Sequence, residues 1–178
     1  MMRRGQSATE PVPVPDRQLE IGPPTPADGM AVHDLIAACP PLDTNSEYAN
    51  LLQCSHFSAT CAAAHRNGQL VGWVSGYVMP EDPAAYFLWQ VAVDDAARGE
   101  GLPKRLILDI LARDACRNVR FLKTTITEDN GASWGLFGSF ARNLGAEMSR
   151  EVFFDQEKHF QGRHSTEHLV TIGPFDAQ

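Results

Sequence analysis

The segment from residue 86 to residue 111 constrains the fold most, because it changes from strand periodicity to helical periodicity. Residues 86–93 form a mostly apolar run, which is typical of a strand that lies near the centre of a sheet. A turn containing Gly99 and Gly101 follows, and apolar residues then recur at helical spacing from Leu102 to Leu111. A central strand followed directly by an amphipathic helix predicts an α/β domain.

The rest of the sequence supplies the order of the other elements. Asn67 and Gly68 separate two strand-like runs, and this dipeptide is the strongest short-range signal for a β-hairpin. Helix starts are predicted at Thr25, at a capping box beginning with Thr44, and at Asn130. The resulting order is β-α-α-β-β-β-α-β-α-β-β. It predicts a three-layer α/β fold, a mixed central sheet of about seven strands flanked by about four helices.

The length of the chain and its first residues indicate one domain preceded by a tail. A chain of 178 residues is long enough to form one hydrophobic core without disulfides or metals. Residues 1–16 are rich in proline and contain almost nothing that could pack in a core. We therefore expect a disordered N-terminal tail over 1–16 and a single domain over 17–178.

Charge and cysteine content limit the partners and the compartment. The chain has 15 basic and 22 acidic residues, a net charge of −7, which argues against nucleic acid as a partner. No apolar stretch is long enough to cross a membrane, and no apolar region follows the N-terminal arginines as a secretory signal requires. The four cysteines form no C-x-x-C pair, which favours reduced thiols and a cytoplasmic protein.

The turn between the central strand and its helix has the composition of an anion site. Arg98 and Lys104 flank Gly99 and Gly101 at the predicted helix start. Glycine lets the backbone approach a ligand closely, and the free amides of a helix N-terminus attract anions. The turn matches neither the G-x-G-x-x-G dinucleotide fingerprint nor the P-loop sequence. A plain glycine-rich turn stays open as the alternative.

The same turn resembles a motif of the GNAT family of N-acetyltransferases. Arg98-x-x-Gly101-x-Pro103 is similar to the [QR]-x-x-G-x-[GA] turn that holds the pyrophosphate of coenzyme A, and the predicted element order matches that family over residues 19–173. The resemblance implies acetyl-CoA as cosubstrate, no metal, and a fourth strand splayed from the fifth. The residues that it implies for acetyl-CoA binding are Val91, Val93, Arg98, Gly99, Gly101, Leu102, Pro103, Lys104 and Asn130.

Two positions depart from the family pattern. Pro103 replaces a glycine or alanine and removes one amide donor, but proline is tolerated in the first helical turn, so we expect a weaker cradle rather than a broken one. Phe137 lies seven residues after Asn130, where many members carry the tyrosine that reprotonates the coenzyme A thiolate. A phenyl ring cannot donate a proton, so another group or solvent must do so.

Further segments resemble one branch of that family, the diaminobutyrate acetyltransferases of ectoine synthesis. The resemblance covers nearly the whole domain and implies transfer of acetyl from acetyl-CoA to the 4-amino group of L-2,4-diaminobutyrate, a step toward an osmoprotectant. It also implies a homodimer, which is common in the superfamily. The segments that carry the resemblance are Pro41-Leu42-Asp43-Thr44-Asn45-Ser46-x-Tyr48, Leu51-Leu52-x-Cys54, His56-Phe57, Trp89-Gln90-Val91-Ala92-Val93, Thr124-Thr125-Ile126-Thr127 and His164-Ser165-x-Glu167-His168-Leu169.

The chemistry of this substrate assigns roles to five residues. Two ammonium groups need acidic partners, so we expect Asp43 and Glu167 to bind the substrate and Trp89 to form a wall of the pocket. Tyr48 is the expected proton donor to the thiolate, and His164 and Glu167 are candidate proton acceptors. The base stays open among Asp43, Glu167, His164 and water. The structural alternatives are an N-cap role for Asp43 and core packing for Tyr48 and Trp89.

Three other interpretations remain at this point. The sequence from His164 to His168 matches an H-x-x-E-H pattern, but it runs into a predicted strand, so we expect no metal. The enzyme could act on another small diamino acid or polyamine. Pro103 and Phe137 favour the third alternative, a catalytically silent module that only binds acyl-CoA.

Overall fold

A computed structural model describes residues 19–176, which form a seven-stranded sheet flanked by four helices. The strands are β1 (Leu19–Gly22), β2 (Ala62–Arg66), β3 (Gln69–Met79), β4 (Asp82–Val93), β5 (Phe121–Thr127), β6 (Met148–Phe154) and β7 (Glu167–Ile172), and the helices are α1 (Gly29–Ala37), α2 (Glu47–Ser55), α3 (Leu102–Leu111) and α4 (Gly131–Leu144). The sheet order is β1-β2-β3-β4-β5-β7-β6, with β4 and β5 parallel and the other pairs antiparallel. The predicted element order and mixed sheet are confirmed. The tail predicted over 1–16 lies outside the described residues, so the domain limits stay a prediction.

Local sequence signals set most of the element ends. Asn67 and Gly68 have φ angles of 53° and 76°. Positive φ angles at both central residues are characteristic of a two-residue type I′ turn. The Asn130 side chain accepts a hydrogen bond from the Ser133 amide at 3.1 Å and so begins α4. The capping box predicted to begin at Thr44 was misplaced. Ser46 is the cap, because its hydroxyl accepts from the Ala49 amide at 3.2 Å.

The sheet separates two apolar cores. On one face, α3 and α4 bury a large cluster that includes Leu106, Ile110 and Phe140. On the other face, α1 and α2 bury a smaller cluster, in which Ile36 packs with Trp73 of the sheet. The three-layer arrangement follows, and we refer to the two sides of the sheet as the α3/α4 face and the α1/α2 face.

A β-bulge at Trp89 changes which face the later residues of β4 occupy. Ser75 of β3 lies opposite Gln90, whereas Gly76 lies opposite Leu88, so Trp89 is the extra residue on β4. Because side chains alternate along a strand, this insertion shifts the alternation by one residue. Leu88 therefore packs in the α3/α4 core, while Gln90, two residues before a member of the α1/α2 core, faces the α1/α2 side.

The sheet opens between its two parallel strands. β4 and β5 pair only through residues 85–87 and 121–123, although both strands continue beyond them. The rest of the β4 edge is therefore not bonded to β5, as the family resemblance implies for its fourth strand. In residues 19–176, every helix is too short or too polar to cross a bilayer. The cytoplasmic location stays a prediction.

Candidate active site

A cavity of about 620 Å³ lies where β4 and β5 diverge. Its walls come from both strands, from the start of α4, from the irregular segment 41–45 between α1 and α2, and from residues 163–167 before β7. The split in the sheet gives the cavity contact with both faces. The predicted site residues that line it are Asp43, Trp89, Val91, Asn130, His164 and Glu167.

Two carboxylates and a histidine converge on one wall of this cavity. His164 Nε2 lies 3.8 Å from Asp43 Oδ2 and 3.9 Å from Glu167 Oε1. His164 Nδ1 lies 2.8 Å from the carbonyl oxygen of Ser165, and because a carbonyl only accepts, this contact places a proton on Nδ1. In the neutral imidazole, Nε2 then carries the lone pair that faces the carboxylates. The wall is suited to bind an ammonium group and to accept a proton from it.

The surroundings of each member of this cluster differ. The Glu167 side chain is 18% exposed and the Asp43 side chain 85% exposed. The ring of Phe160 packs on the His164 ring with centroids 4.7 Å apart, and Phe154 lies 6.1 Å beyond Phe160. The contact with Phe160 restricts the orientation of the His164 ring. Phe160 was not predicted to have a role, and its spacing of four residues from His164 was the available signal.

The bulged residue Trp89 lies at the cavity wall with 52% of its side chain exposed. The sequence left open whether this tryptophan belonged to the core, and the structure places it at the cavity instead. Gln90, which follows it, was also not predicted to have a role. A single amide side chain within an apolar strand was the signal, because buried polar groups need hydrogen-bond partners.

The remaining predicted site residues lie outside the cavity lining. Tyr48 is 70% exposed on α2. The Val93 side chain is buried in the α3/α4 core, and its backbone carbonyl accepts from the thiol of Cys39, a member of the α1/α2 core, at 3.5 Å. Lys104 donates to the Ser139 hydroxyl at 2.6 Å and so links α3 to α4. Arg98 pairs with Asp95 at 2.8 Å on the surface. Their predicted roles stay predictions.

The turn before α3 has the backbone geometry of an anion cradle. Gly99 and Gly101 have φ angles of 82° and 69°, and Gly101 is the N-cap of α3. The first amides of a helix have no partner within the helix, and they point toward any ligand beyond its start. Glu100 lies inside this turn, and the hydrogen bonds from Arg66 lower the pKa of its carboxyl and neutralise its charge. The turn is therefore available to a phosphate.

Two observations bear on proton and acyl transfer. Phe137, at the position of the family tyrosine, is buried and lines the cavity, so the donor must be another group or solvent. Burial raises the pKa of the Cys54 thiol to about 12 and the pKa values of Cys61 and Cys116 to about 11. These thiols are protonated at neutral pH and are poor nucleophiles, in agreement with direct transfer to an amine.

The H-x-x-E-H pattern does not converge on one point. Glu167 and His168 are consecutive in β7, so their side chains lie on opposite faces of the sheet. His168 Nε2 lies 3.7 Å from Glu128, away from the cavity. The pattern therefore lacks the helix that a metalloprotease site requires.

Three features define the class of protein. The parallel strands β4 and β5 diverge, an acidic cavity lies where they separate, and a glycine turn precedes α3. The sequence model of the acetyltransferase (GNAT) family matches residues 30–141, and the chain belongs to that family. Ard1 of Thermoplasma volcanium has the same fold, with a TM-score of 0.66 at 16% identity over 87% of this chain and 97% of that chain.

Relatives of higher identity define the branch of the family. The L-2,4-diaminobutyric acid acetyltransferase of Methylotuvimicrobium alcaliphilum is 48% identical over 159 residues, which cover 89% of this chain and 92% of that protein. That of Chromohalobacter salexigens is 48% identical over 163 residues, 91% of this chain and 84% of that protein. The diaminobutyrate acetyltransferase of Paenibacillus lautus, solved with L-2,4-diaminobutyric acid and coenzyme A, has a TM-score of 0.86 at 33% identity, covering 92% of this chain and 99% of that chain. This chain is a member of the diaminobutyrate acetyltransferase branch.

Proposed function

We propose that this protein transfers the acetyl group of acetyl-CoA to the 4-amino nitrogen of L-2,4-diaminobutyrate, giving N4-acetyl-L-2,4-diaminobutyrate for ectoine synthesis. The observation that carries the proposal is the cluster of Asp43, His164 and Glu167 on one wall of the cavity. A substrate with two ammonium groups and one carboxylate needs this excess of negative charge. The identity with diaminobutyrate acetyltransferases supports the same substrate.

The residues present fit acetyl-CoA as the cosubstrate. The positive φ angles of Gly99 and Gly101 leave the backbone before α3 open to a pyrophosphate. The part of β4 beyond residue 87 is not bonded to β5, so its backbone groups can bond an extended pantetheine arm, with Val91 at the cavity. When bound, acetyl-CoA supplies the thioester carbonyl that the amine attacks.

We assign the transfer steps to the residues at the cavity. Asp43 binds the ammonium group that does not react, and Glu167, assisted by His164 Nε2, takes a proton from the 4-ammonium group. The neutral amine then attacks, the new bond forms between nitrogen and the acetyl carbon, and the carbon–sulfur bond breaks. The nitrogen gives its second proton to water, and Tyr48 or water protonates the leaving thiolate. Trp89, which lies in the bulge, forms a wall of the cavity beside the substrate.

Release of free thiol tests the function directly. The purified protein with acetyl-CoA should release thiol when diaminobutyrate is added, and more slowly with ornithine or lysine at equal concentration. Equal or faster rates with another diamine would assign a different substrate. Binding of acetyl-CoA in a calorimeter without turnover on any diamine would identify the silent module instead.

Replacing Tyr48 by Phe tests the donor to the leaving thiolate. We predict a lower kcat, by about 10-fold or more if the hydroxyl supplies the proton, with unchanged binding of acetyl-CoA by calorimetry. The phenyl ring keeps the packing of the side chain, so its stability matches that of the wild type. An unchanged kcat would assign the proton to solvent, which the exposed position of Tyr48 allows.

We also propose that the chain forms a homodimer through β6. This strand is at the edge of the sheet and exposes Val152, Phe153 and Phe154, and an exposed apolar edge strand favours pairing with another chain. We predict that sedimentation equilibrium gives twice the chain mass, and that Val152→Lys shifts the protein toward the monomer. A wild-type chain that sediments as a monomer at micromolar concentration would contradict the proposal.

A further inference from the structure

Gln90 is a buried polar residue in the middle of an otherwise apolar strand. Its side chain is 6% exposed, and burial of an amide costs free energy unless its polar atoms are hydrogen-bonded. Both ends of this amide are bonded to one segment. Nε2 donates to the backbone carbonyl of Asp43 at 2.8 Å, and Oε1 accepts from Asn45 Nδ2 at 2.6 Å.

The segment that Gln90 holds has no regular structure of its own. Residues 41–45 connect α1 to α2 and line the cavity through Asp43 and Asn45. Within residues 19–176, the hydrogen bonds that join this segment to the sheet both end on Gln90. One side chain therefore provides the polar attachment of the segment to β4, beside the apolar packing of Leu42 on the α1/α2 core.

The bulge at Trp89 is what directs Gln90 to this segment. If residues 88–90 were paired regularly, without a bulge, alternation would place Gln90 on the same face as Leu88, in the α3/α4 core. With it, Gln90 faces the α1/α2 side, where segment 41–45 lies. The bulge thus places Trp89 in the cavity wall and lets Gln90 form hydrogen bonds with segment 41–45.

The consequence concerns the Asp43 carboxylate. Because this side chain is largely exposed, few contacts of its own fix it, and its distance of 3.8 Å from His164 Nε2 follows from where the backbone holds it. We propose that Gln90 is a positioning residue for diaminobutyrate, which sets the Asp43 carboxylate at the cavity through the Asp43 carbonyl. This inference rests on the function proposed above.

The test compares how one substitution changes the KM for diaminobutyrate and the KM for acetyl-CoA. Gln90→Met keeps the size of the side chain and removes both hydrogen bonds. We expect the KM for diaminobutyrate to rise by about 10-fold, while the KM for acetyl-CoA stays within about twofold, because the pyrophosphate turn is unaffected. Ser75→Ala is the matched control. Ser75 lies opposite Gln90 on β3, is fully buried, and its hydroxyl has no partner among the described residues.

Two further variants make the result specific to Asp43. Asn45→Ala removes one of the two bonds without touching the strand, so the KM for diaminobutyrate should rise by about threefold even if Gln90→Met folds poorly. In a double-mutant cycle with Asp43→Asn, adding Gln90→Met should cost little more than Asp43→Asn alone, because Gln90 acts through Asp43.

The outcomes distinguish a failure of the proposed function from a failure of the positioning role of Gln90. A wild-type protein that releases no thiol with diaminobutyrate contradicts the proposed function. With an active wild type, an unchanged KM for diaminobutyrate in both Gln90→Met and Asn45→Ala overturns the positioning role. Losses that multiply in the cycle, or an equal rise in both KM values, overturn it as well.

Discussion

Replacing Glu167 by Gln should lower kcat/KM for diaminobutyrate by about 10²–10⁴-fold, the range that a positioned general base contributes. Glu167 is the more enclosed carboxylate at the cavity, and it lies 3.9 Å from His164 Nε2. The amide keeps the size of the side chain but cannot take a proton from the 4-ammonium group. The substitution also removes the negative charge that binds this ammonium group. Initial rates of thiol release at several diaminobutyrate concentrations measure the loss.

The same replacement of glutamate by glutamine, made at the other end of the sheet, serves as the control. Glu20→Gln alters an exposed residue of β1, and its kcat/KM should equal that of the wild type. The affinity of Glu167→Gln for acetyl-CoA should also be unchanged, since the glycine turn is not altered. A kcat/KM within threefold of wild type in Glu167→Gln would exclude Glu167 as the base and leave His164, Asp43 or an ordered water.

Periodicity was sufficient for the element order, because each element has its own short-range signal. The Asn67-Gly68 turn, the helical spacing from Leu102 to Leu111 and the Asn130 cap all lie where the sequence predicts them. The error at Thr44 has a local cause. Threonine and serine are both good N-cap residues, so the sequence does not distinguish Thr44 from Ser46, and only the hydroxyl of Ser46 accepts from a helix amide in the structure.

The site was predictable only in part, since it depends on contacts between distant residues. Asp43 and Glu167 are far apart in sequence, and the resemblance to a family, rather than their spacing, predicted that they share a pocket. The bulge at Trp89 follows from the register of β3 on β4, which hydrophobicity does not encode at one-residue precision. Gln90 was missed for the same reason, because its face of the sheet is set by that bulge.

The close contact between β3 and β4 at the bulge explains why Gly76 has no side chain. A Cβ added there would lie 2.2 Å from Tyr86 Oη and 2.5 Å from the Phe87 carbonyl oxygen. Neither atom can withdraw. The Tyr86 ring is fully buried and its hydroxyl donates to the Thr60 carbonyl at 2.8 Å, while the Phe87 oxygen belongs to the backbone of the sheet.

We therefore expect Gly76→Ala to lower the free energy of unfolding by about 3 kcal/mol, the upper part of the range for overpacked cores. For a chain of this length, such a loss corresponds to a fall in Tm of about 10 °C in a thermal scan. Gly22→Ala in β1 is the matched control, because a Cβ there meets nothing within 4 Å. Its Tm should stay within about 2 °C of the wild type.

The same variant links the packing of the sheet to the cavity. To admit the methyl group, β4 must move away from β3 at Tyr86 and Phe87, and because the bulge at Trp89 follows on the same strand, this movement displaces it as well. The folded fraction of Gly76→Ala should therefore have a higher KM for diaminobutyrate, whereas Gly22→Ala should not. A Gly76→Ala protein with wild-type Tm and KM would show that β3 and β4 have room to separate at this point, and the tight bulge would then not be what orients Trp89 and Gln90.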